Sequence, residues 1–148
     1  MKTINEAGLE LLIEHSEGLE LKAYPDPGSG GDPWTIGYGH TGPDIHPGLV
    51  ITEAKALLLL QQDLSFFELK VDQLAPVANP NQFAALISFA FNEGIGKLRS
   101  STLLTLHNAG KYEQAALEFP KWKYSNGHVL PGLVTRRAAE AALYLKEV

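Results

Sequence analysis

The stretch PNQFAALISFAFNEG, residues 80–94, constrains this chain more than any other. Its apolar residues cover almost the whole circumference of a helix instead of one stripe, so the segment belongs at the centre of a core. Other helical patterns lie on either side of it. Ile4, Ala7, Leu11 and Leu12 recur at helical spacing and predict an amphipathic helix over about 3–16, with Gly18 as its stop signal. From Thr52, TEAKALLLLQQDLSFFELKVDQL predicts a long helix with Thr52 as N-cap. SSTLLTLHNAG, YEQAALEFPKW and LVTRRAAEAALYLKE predict three more.

Between the first two helices the period changes. Leu19, Leu21 and Ala23 alternate with Glu20, Lys22 and Tyr24, the pattern of a short half-buried strand. PDPGSGGDP is dense in turn formers, and WTIGYGH resumes a strand whose glycines admit close approach of another backbone. Together these predict a small antiparallel β-hairpin, followed by a second loop, TGPDIHPG. The fold class is therefore α+β and predominantly helical: a β lobe over about 18–50 and a helical lobe over about 51–148, which the N-terminal helix joins. A chain of 148 residues is about one domain long, enough to bury roughly two-thirds of its unfolded surface. With no internal repeat or low-complexity segment, residues 1–148 are read as a single domain.

Several function classes fall away. The absence of cysteine excludes a disulfide framework, a thiolate metal site and a cysteine nucleophile. MKTINEAGLELLIEHSEG is too acidic for a signal-peptide apolar region, and the longest apolar run, KALLLLQQ, is too short to span a bilayer. The expectation is a soluble protein without an export signal or stable membrane association. The net charge of −5 hides an asymmetry: residues 1–94 carry 4 Lys against 13 acids, and residues 95–148 carry 8 basic groups against 4 acids. A basic C-terminal third can face an anionic polymer or be ordinary solvated helix surface. With three arginines and no basic-aromatic stripe, nucleic acid is disfavoured.

Glu17, Asp26, Thr35 and His40 follow one another along the predicted hairpin path. Nine residues of extended chain reach roughly 30 Å, so Glu17 and Asp26 face one cleft only if helix and strand pack at an angle. Two carboxylates in different environments are what glycoside hydrolysis requires. One stays protonated to donate to the leaving oxygen, and the other stays ionised to activate water or stabilise the oxocarbenium-like transition state. Glu17, at the negative end of a predicted helix and partly buried, suits the acid role. Asp26, in a polar loop beside the Thr35 hydroxyl, suits the ionised one.

EGLELKAYPD followed by PWTIGYGHT resembles the catalytic segment of phage-type lysozymes, glycoside hydrolase family 24, with its pattern E-G-x-x-x-x-x-Y-x-D and then T-I-G-x-G-H. FAFNEGIGKLRSSTLLTLHNAGKYEQAALEFPKW and GHVLPGLVTRRAAEAALYL resemble that family's helical lobe, so nearly the whole chain is covered. The resemblance implies a lysozyme-like fold with the cleft between its lobes. It implies Glu17 as proton donor, Asp26 as base or nucleophile-like partner and Thr35 holding the attacking water. The Asp26–Thr35 loop is longer than in the shortest members, and its Gly-Ser-Gly-Gly insert is expected to bulge outward and leave the pairing intact. The implied reaction is hydrolysis of the β-1,4 bond between N-acetylmuramic acid and N-acetylglucosamine in peptidoglycan, with no cofactor and no metal. The implied enzyme is a monomeric phage endolysin that accumulates in the host cytoplasm and needs another protein to open the inner membrane.

Sugar binding calls for aromatic platforms and amide partners, and the candidates are Tyr38, His40, Trp122, Tyr124 and Asn126. Trp122 and Tyr124 lie in PKWKYSNGH, a loop-like stretch where a cleft wall is favoured over core packing. Phe91 reads as core, and Asn92 can reach the cleft floor. An arginine pairs with the acid in relatives, which makes Arg136 or Arg137 the supporting residue for Glu17. That contact would lower its pKa against the effect of burial.

Three rivals remain. A lytic transglycosylase cleaves the same bond without water, but related endolysins that do so lack the Asp/Thr pair. A zinc amidase built on His40, Asp44 and His46 would place its ligands in a Gly/Pro loop with no helix to fix them. A non-catalytic wall-binding module has no need of two carboxylates and a hydroxyl at these positions.

Overall fold

The computed structural model describes residues 2–16, 18–25 and 30–148. Its contacts gather into two compact units, residues 13–65 and residues 1–12 with 66–148.

The larger unit is built around α3 (Pro80–Glu93). Asn79 starts this helix with a capping box: its side chain accepts from the Gln82 N–H, and the Gln82 side chain accepts from the Asn79 N–H. Every residue from Asn81 to Ala90 is buried, as a helix apolar on all faces requires. α7 (Pro131–Leu145) packs along it. Around these lie residues 6–12 of α1 (Glu6–Glu14), α4 (Ile95–Ser100), α5 (Thr102–Asn108) and α6 (Tyr112–Ala116), followed by a 3₁₀ turn at Phe119–Lys121. The predicted helix over 100–110 is α5, capped by the Ser101 hydroxyl; α4, just before it, is an element the sequence reading did not contain. Phe89 meets Phe119 and Trp122 edge to face, with ring centroids 5.9 and 5.2 Å away.

A buried histidine joins three segments of this unit. His107 in α5 is 1% exposed, and its Nε2–H donates to the Val77 carbonyl at 2.9 Å. A carbonyl only accepts, so the other nitrogen, Nδ1, is left to accept from the Tyr144 hydroxyl at 2.6 Å. Burial pushes the His107 pKa below 6.5, opposed by the Val77 hydrogen bond, and burial pushes the Tyr144 hydroxyl up. The unfolded chain then binds this proton more readily than the folded one. The associated stability is complete above about pH 6.5 and is lost as pH falls, by up to about 1.4 kcal/mol per pH unit. Thermal melts are expected to show a falling midpoint from pH 7 to pH 5, and His107→Gln should flatten that slope. An unchanged slope in the variant would place the acid sensitivity elsewhere.

The smaller unit holds a three-stranded antiparallel sheet in the order β1 (Glu20–Tyr24), β2 (Thr35–Gly37), β3 (His40–Thr41). The sequence reading made WTIGYGH one strand; it is instead a hairpin of its own, with Ile36 opposite His40. Gly37 (φ 68°) and Gly39 (φ 88°) take the left-handed conformations that reverse the chain around Tyr38. The predicted close approach does occur: a Cβ at Gly37 would lie 3.3 Å from the Ala56 Cβ. Ala23, Ile36, Ile45 and Leu59 form the core, with Trp34, Leu49 and Ile51 against it. α2 (Glu53–Leu74) begins at the Thr52 cap, whose hydroxyl accepts from the Lys55 N–H at 3.1 Å. Its residues 53–65 belong to this unit and 66–74 to the larger one.

A second hairpin, β4 (Tyr124–Ser125) and β5 (His128–Val129), replaces the loop expected at PKWKYSNGH. Its turn is Asn126 (φ 51°) and Gly127 (φ 80°), the Asn-Gly pair that a two-residue hairpin favours. The signal was in the sequence.

Candidate catalytic site

Glu17 and Asp26 lie outside the described residues. Their neighbours do not. Ser16 Oγ donates to the Ile13 carbonyl at 2.7 Å and accepts from the Gly18 N–H at 3.3 Å, so both flanks of Glu17 are tied to the end of α1. Tyr24, two residues before Asp26 in the sequence, pairs with Thr35 across the β1–β2 ladder. The register slips between Glu20 and Tyr24, yet the pairing at Thr35 is kept despite the long loop. Thr35 is half-buried, and its hydroxyl has one long contact, 3.5 Å, to the Pro33 carbonyl.

His40 is held inside the smaller unit. Nδ1 lies 2.8 and 3.0 Å from the two Asp63 oxygens, and Nε2 is 3.4 Å from Asp44 without hydrogen-bond alignment. With both ring nitrogens facing carboxylates and its side chain 13% exposed, His40 braces β3 against α2. Asp63→Ala removes that brace, and a hydrogen bond to a charged partner is worth about 1.5–3 kcal/mol. A melt of the variant should drop accordingly, and a midpoint equal to wild type would count against the brace. His46 Nδ1 sits 3.1 Å from the Pro47 carbonyl. Among the described residues no group of three or more His, Cys, Asp or Glu is gathered to hold a metal ion.

Tyr38, in the β2–β3 turn, is partly exposed. Asn92 is exposed near the end of α3, and Phe91 packs edge-on against Phe67 with centroids 5.3 Å apart. Trp122 is partly buried against Phe89, so at least one edge of its ring belongs to the core. Tyr124 is 55% exposed on β4, with the Lys123 ammonium 5.7 Å from its ring centre. Asn126 occupies the left-handed turn position, a backbone demand that by itself explains an asparagine there.

Arg136 and Arg137 are buried between α7 and α3. Arg137 Nη1 donates to Glu93 at 2.9 Å and Nη2 to Glu140 at 2.9 Å, while Nε is 2.7 Å from Glu140 Oε1 in poor alignment. Arg136 Nε donates to Glu140 at 3.3 Å and Nη2 to the Ser88 carbonyl at 3.0 Å. The Ser88 hydroxyl donates to Glu140 at 2.5 Å, and the Arg137 guanidinium stacks on Phe89 at 5.1 Å. Burial pushes the Glu140 carboxyl up, against Arg137, Ser88 and Arg136, which favour its ionised form. Burial pushes Arg136 down, against Glu140. Glu93, Ser88 and Glu140 were not among the sequence candidates. The R-R-x-x-E spacing, which puts Glu140 four residues from Arg136 and three from Arg137 on one helix face, was the available signal.

Known proteins resemble the chain over most of its length. The profile of the phage lysozyme family matches residues 14–140. An endolysin of Bacillus phage B103 is 49% identical over 143 residues, 96% of this chain and 54% of that protein. The chain thus spans about half the length of that relative. Among solved structures, the muramidase domain of SpmX from Asticaccaulis excentricus superposes with a TM-score of 0.89 at 36% identity, covering 99% of this chain and 100% of that one. A P22 lysozyme mutant, L86M, superposes with a TM-score of 0.85 at 34% identity, covering 99% and 100%.

Proposed function

The chain belongs to the phage lysozyme family, and from that premise we propose that it is a muramidase hydrolysing the β-1,4 bond between N-acetylmuramic acid and N-acetylglucosamine. Glu17 gives its proton to the glycosidic oxygen as the bond breaks. Asp26, ionised beforehand, takes a proton from the water that Thr35 holds as its oxygen attacks the anomeric carbon. The observation that carries this reading is the β1–β2 register. It sets Thr35 directly opposite Tyr24, two residues ahead of Asp26, within the segment that matches the family's E-G-x-x-x-x-x-Y-x-D and T-I-G-x-G-H pattern. A water held between a hydroxyl and a carboxylate favours inversion of the anomeric configuration, for which carboxyl groups stand roughly 6.5–9.5 Å apart. Tyr38, His40, Asn92, Trp122, Tyr124 and Asn126 are the proposed sugar contacts, and either Arg136 or Arg137 supports the acid.

The biological setting in this reading is lysis of a phage-infected bacterium. No helix among the described residues is long and apolar enough to cross a membrane. The proposed route is accumulation in the host cytoplasm until another protein opens the inner membrane, a reading that rests on the likeness to phage endolysins.

Mass spectrometry of murein digested in ¹⁸O-water tests bond and mechanism together. Hydrolysis leaves a muramic acid reducing end that carries the label. A lytic transglycosylase leaves an unlabelled 1,6-anhydro end, one water lighter, and that product would replace the proposal with its rival.

A further inference from the structure

We infer that Asn126–Gly127, the turn of the β4–β5 hairpin, is a self-modification site: the asparagine loses its amide through a cyclic imide, and the isoaspartyl product opens the hairpin. The site lies wholly within the larger unit, and the inference does not depend on the muramidase reading.

The chain has six asparagines, and their surroundings differ. Four are held. Asn5 Oδ1 accepts from the Gly8 N–H and its Nδ2 donates to Asn81 Oδ1, while Asn81 donates onward to the Lys146 carbonyl. Asn79 Oδ1 accepts from the Gln82 N–H, and the residue after it is a proline, which has no N–H. Asn108 Nδ2 donates to the Leu74 carbonyl. Asn92 is exposed, but it sits in α3, and the Glu93 side chain crowds the next nitrogen. Asn126 has none of these restraints. It and Gly127 are both exposed, and among the described residues no hydrogen bond holds its side-chain amide. The nitrogen that follows it belongs to a glycine, so no side chain shields that atom.

The chemistry needs only water. The Gly127 nitrogen attacks Cγ of Asn126: an N–Cγ bond forms and the Cγ–Nδ2 bond breaks. The side-chain nitrogen leaves as ammonia, taking the proton that Gly127 gives up. Water then opens the cyclic imide at one of its two carbonyls. Opening at Cγ gives an aspartyl residue. Opening at the main-chain carbonyl gives an isoaspartyl residue, whose main chain runs through the former side chain and is longer by a methylene. Nothing is oxidised or reduced.

The hairpin is built to permit the attack. Its ladder is Tyr124 opposite Val129 and Ser125 opposite His128, continued by the Leu130 N–H to the Lys123 carbonyl at 3.0 Å. Tyr124 and Val129 face each other across it and are both exposed, so little packing resists local opening. The ordered turn holds Asn126 at φ 51° and Gly127 at φ 80°, and opening frees both to reach the ring-closing geometry. The reverse step is barred to the isoaspartyl form. A two-residue turn sets the register of its strands, and a longer main chain no longer fits it. Conversion also places a carboxylate within residues 119–139, which contain no Asp or Glu.

The test is peptide mapping by mass spectrometry after incubation of the folded chain, and of the urea-unfolded chain, at physiological temperature. Amide loss at Asn126 is expected to outrun that at each of the other five asparagines. Folding should slow it by no more than roughly 10- to 100-fold, the protection given by a ladder of so few hydrogen bonds. Gly127→Ala sets a methyl beside the attacking nitrogen and should preserve the amide in the unfolded chain. A folded protein that keeps the Asn126 amide as completely as that of Asn92 overturns the site, and so does equal loss from unfolded wild type and Gly127→Ala. Trypsin then reads the hairpin. Cleavage after Lys123 should be faster in incubated than in fresh wild type, whereas Asn126→Gly, which suits the left-handed turn and has no amide to lose, should not change on incubation. Equal cleavage of fresh wild type and of material mapped as isoaspartyl overturns the opening of the hairpin.

Discussion

Glu17→Gln is expected to reduce murein turnover by roughly 10²–10⁴-fold while glycan binding is kept. An amide has nearly the shape of the carboxyl but no proton to give, so what disappears is the transfer to the leaving oxygen in the transition state. The loss should therefore sit in kcat. Asp26→Asn should come next in severity, because an amide neither activates water nor stabilises positive charge on the sugar ring. Thr35→Ala should be the mildest of the three: its hydroxyl orients a water that the carboxylate can still hold. The order is as informative as the size. A Thr35→Ala variant more damaged than Asp26→Asn would transfer the principal role to the hydroxyl, and a fully active Glu17→Gln would end the muramidase proposal.

How much of this was legible in the sequence depends on how local the cause was. The α3 helix was legible because its apolar residues go all the way round, and the structure buries Asn81–Ala90 without a break. Thr52 was legible as a cap because capping is decided within three residues, and its hydroxyl receives the Lys55 N–H. The two hairpins were misread for opposite reasons. In TIGYGHT the alternation of a strand continues across the turn, and only the conformations of Gly37 and Gly39 reverse it, so period alone could not separate one strand from two. In YSNGHV the Asn-Gly pair did announce a turn, but two-residue strands leave too little alternation to frame it. His40 shows a third kind of limit. Nothing in the motif says that its ring will meet Asp63, twenty-three residues on and in a different element. The contact with Asp63 was therefore not legible in the motif, which offered His40 only as a sugar contact.

The second large effect is expected from the buried charges. Arg136, Arg137, Glu93 and Glu140 sum to zero formal charge, and Arg137 and Glu140 are completely enclosed. Such a set need not be worth much against an apolar replacement of the whole, yet removing one member leaves an uncompensated charge in the interior and costs about 3–5 kcal/mol. Arg137→Met keeps much of the volume and removes the guanidinium that bonds both Glu93 and Glu140. For a chain of this length its melting midpoint should fall by roughly 10–15 °C at pH 7. Arg137 is also the largest influence holding the Glu140 carboxyl in its ionised form against burial. Without it, the folded-state pKa of Glu140 moves further above its unfolded value, and the folded variant binds a proton that the unfolded chain does not. Stability then rises as pH falls, the reverse of the His107 contribution, which is common to both proteins and cancels in their difference. The gap between wild type and Arg137→Met should accordingly narrow from pH 7 to pH 5. A gap that stays constant across that range would mean that Glu140 does not take up the proton, and a variant melting with wild type at pH 7 would mean that the buried pair contributes nothing.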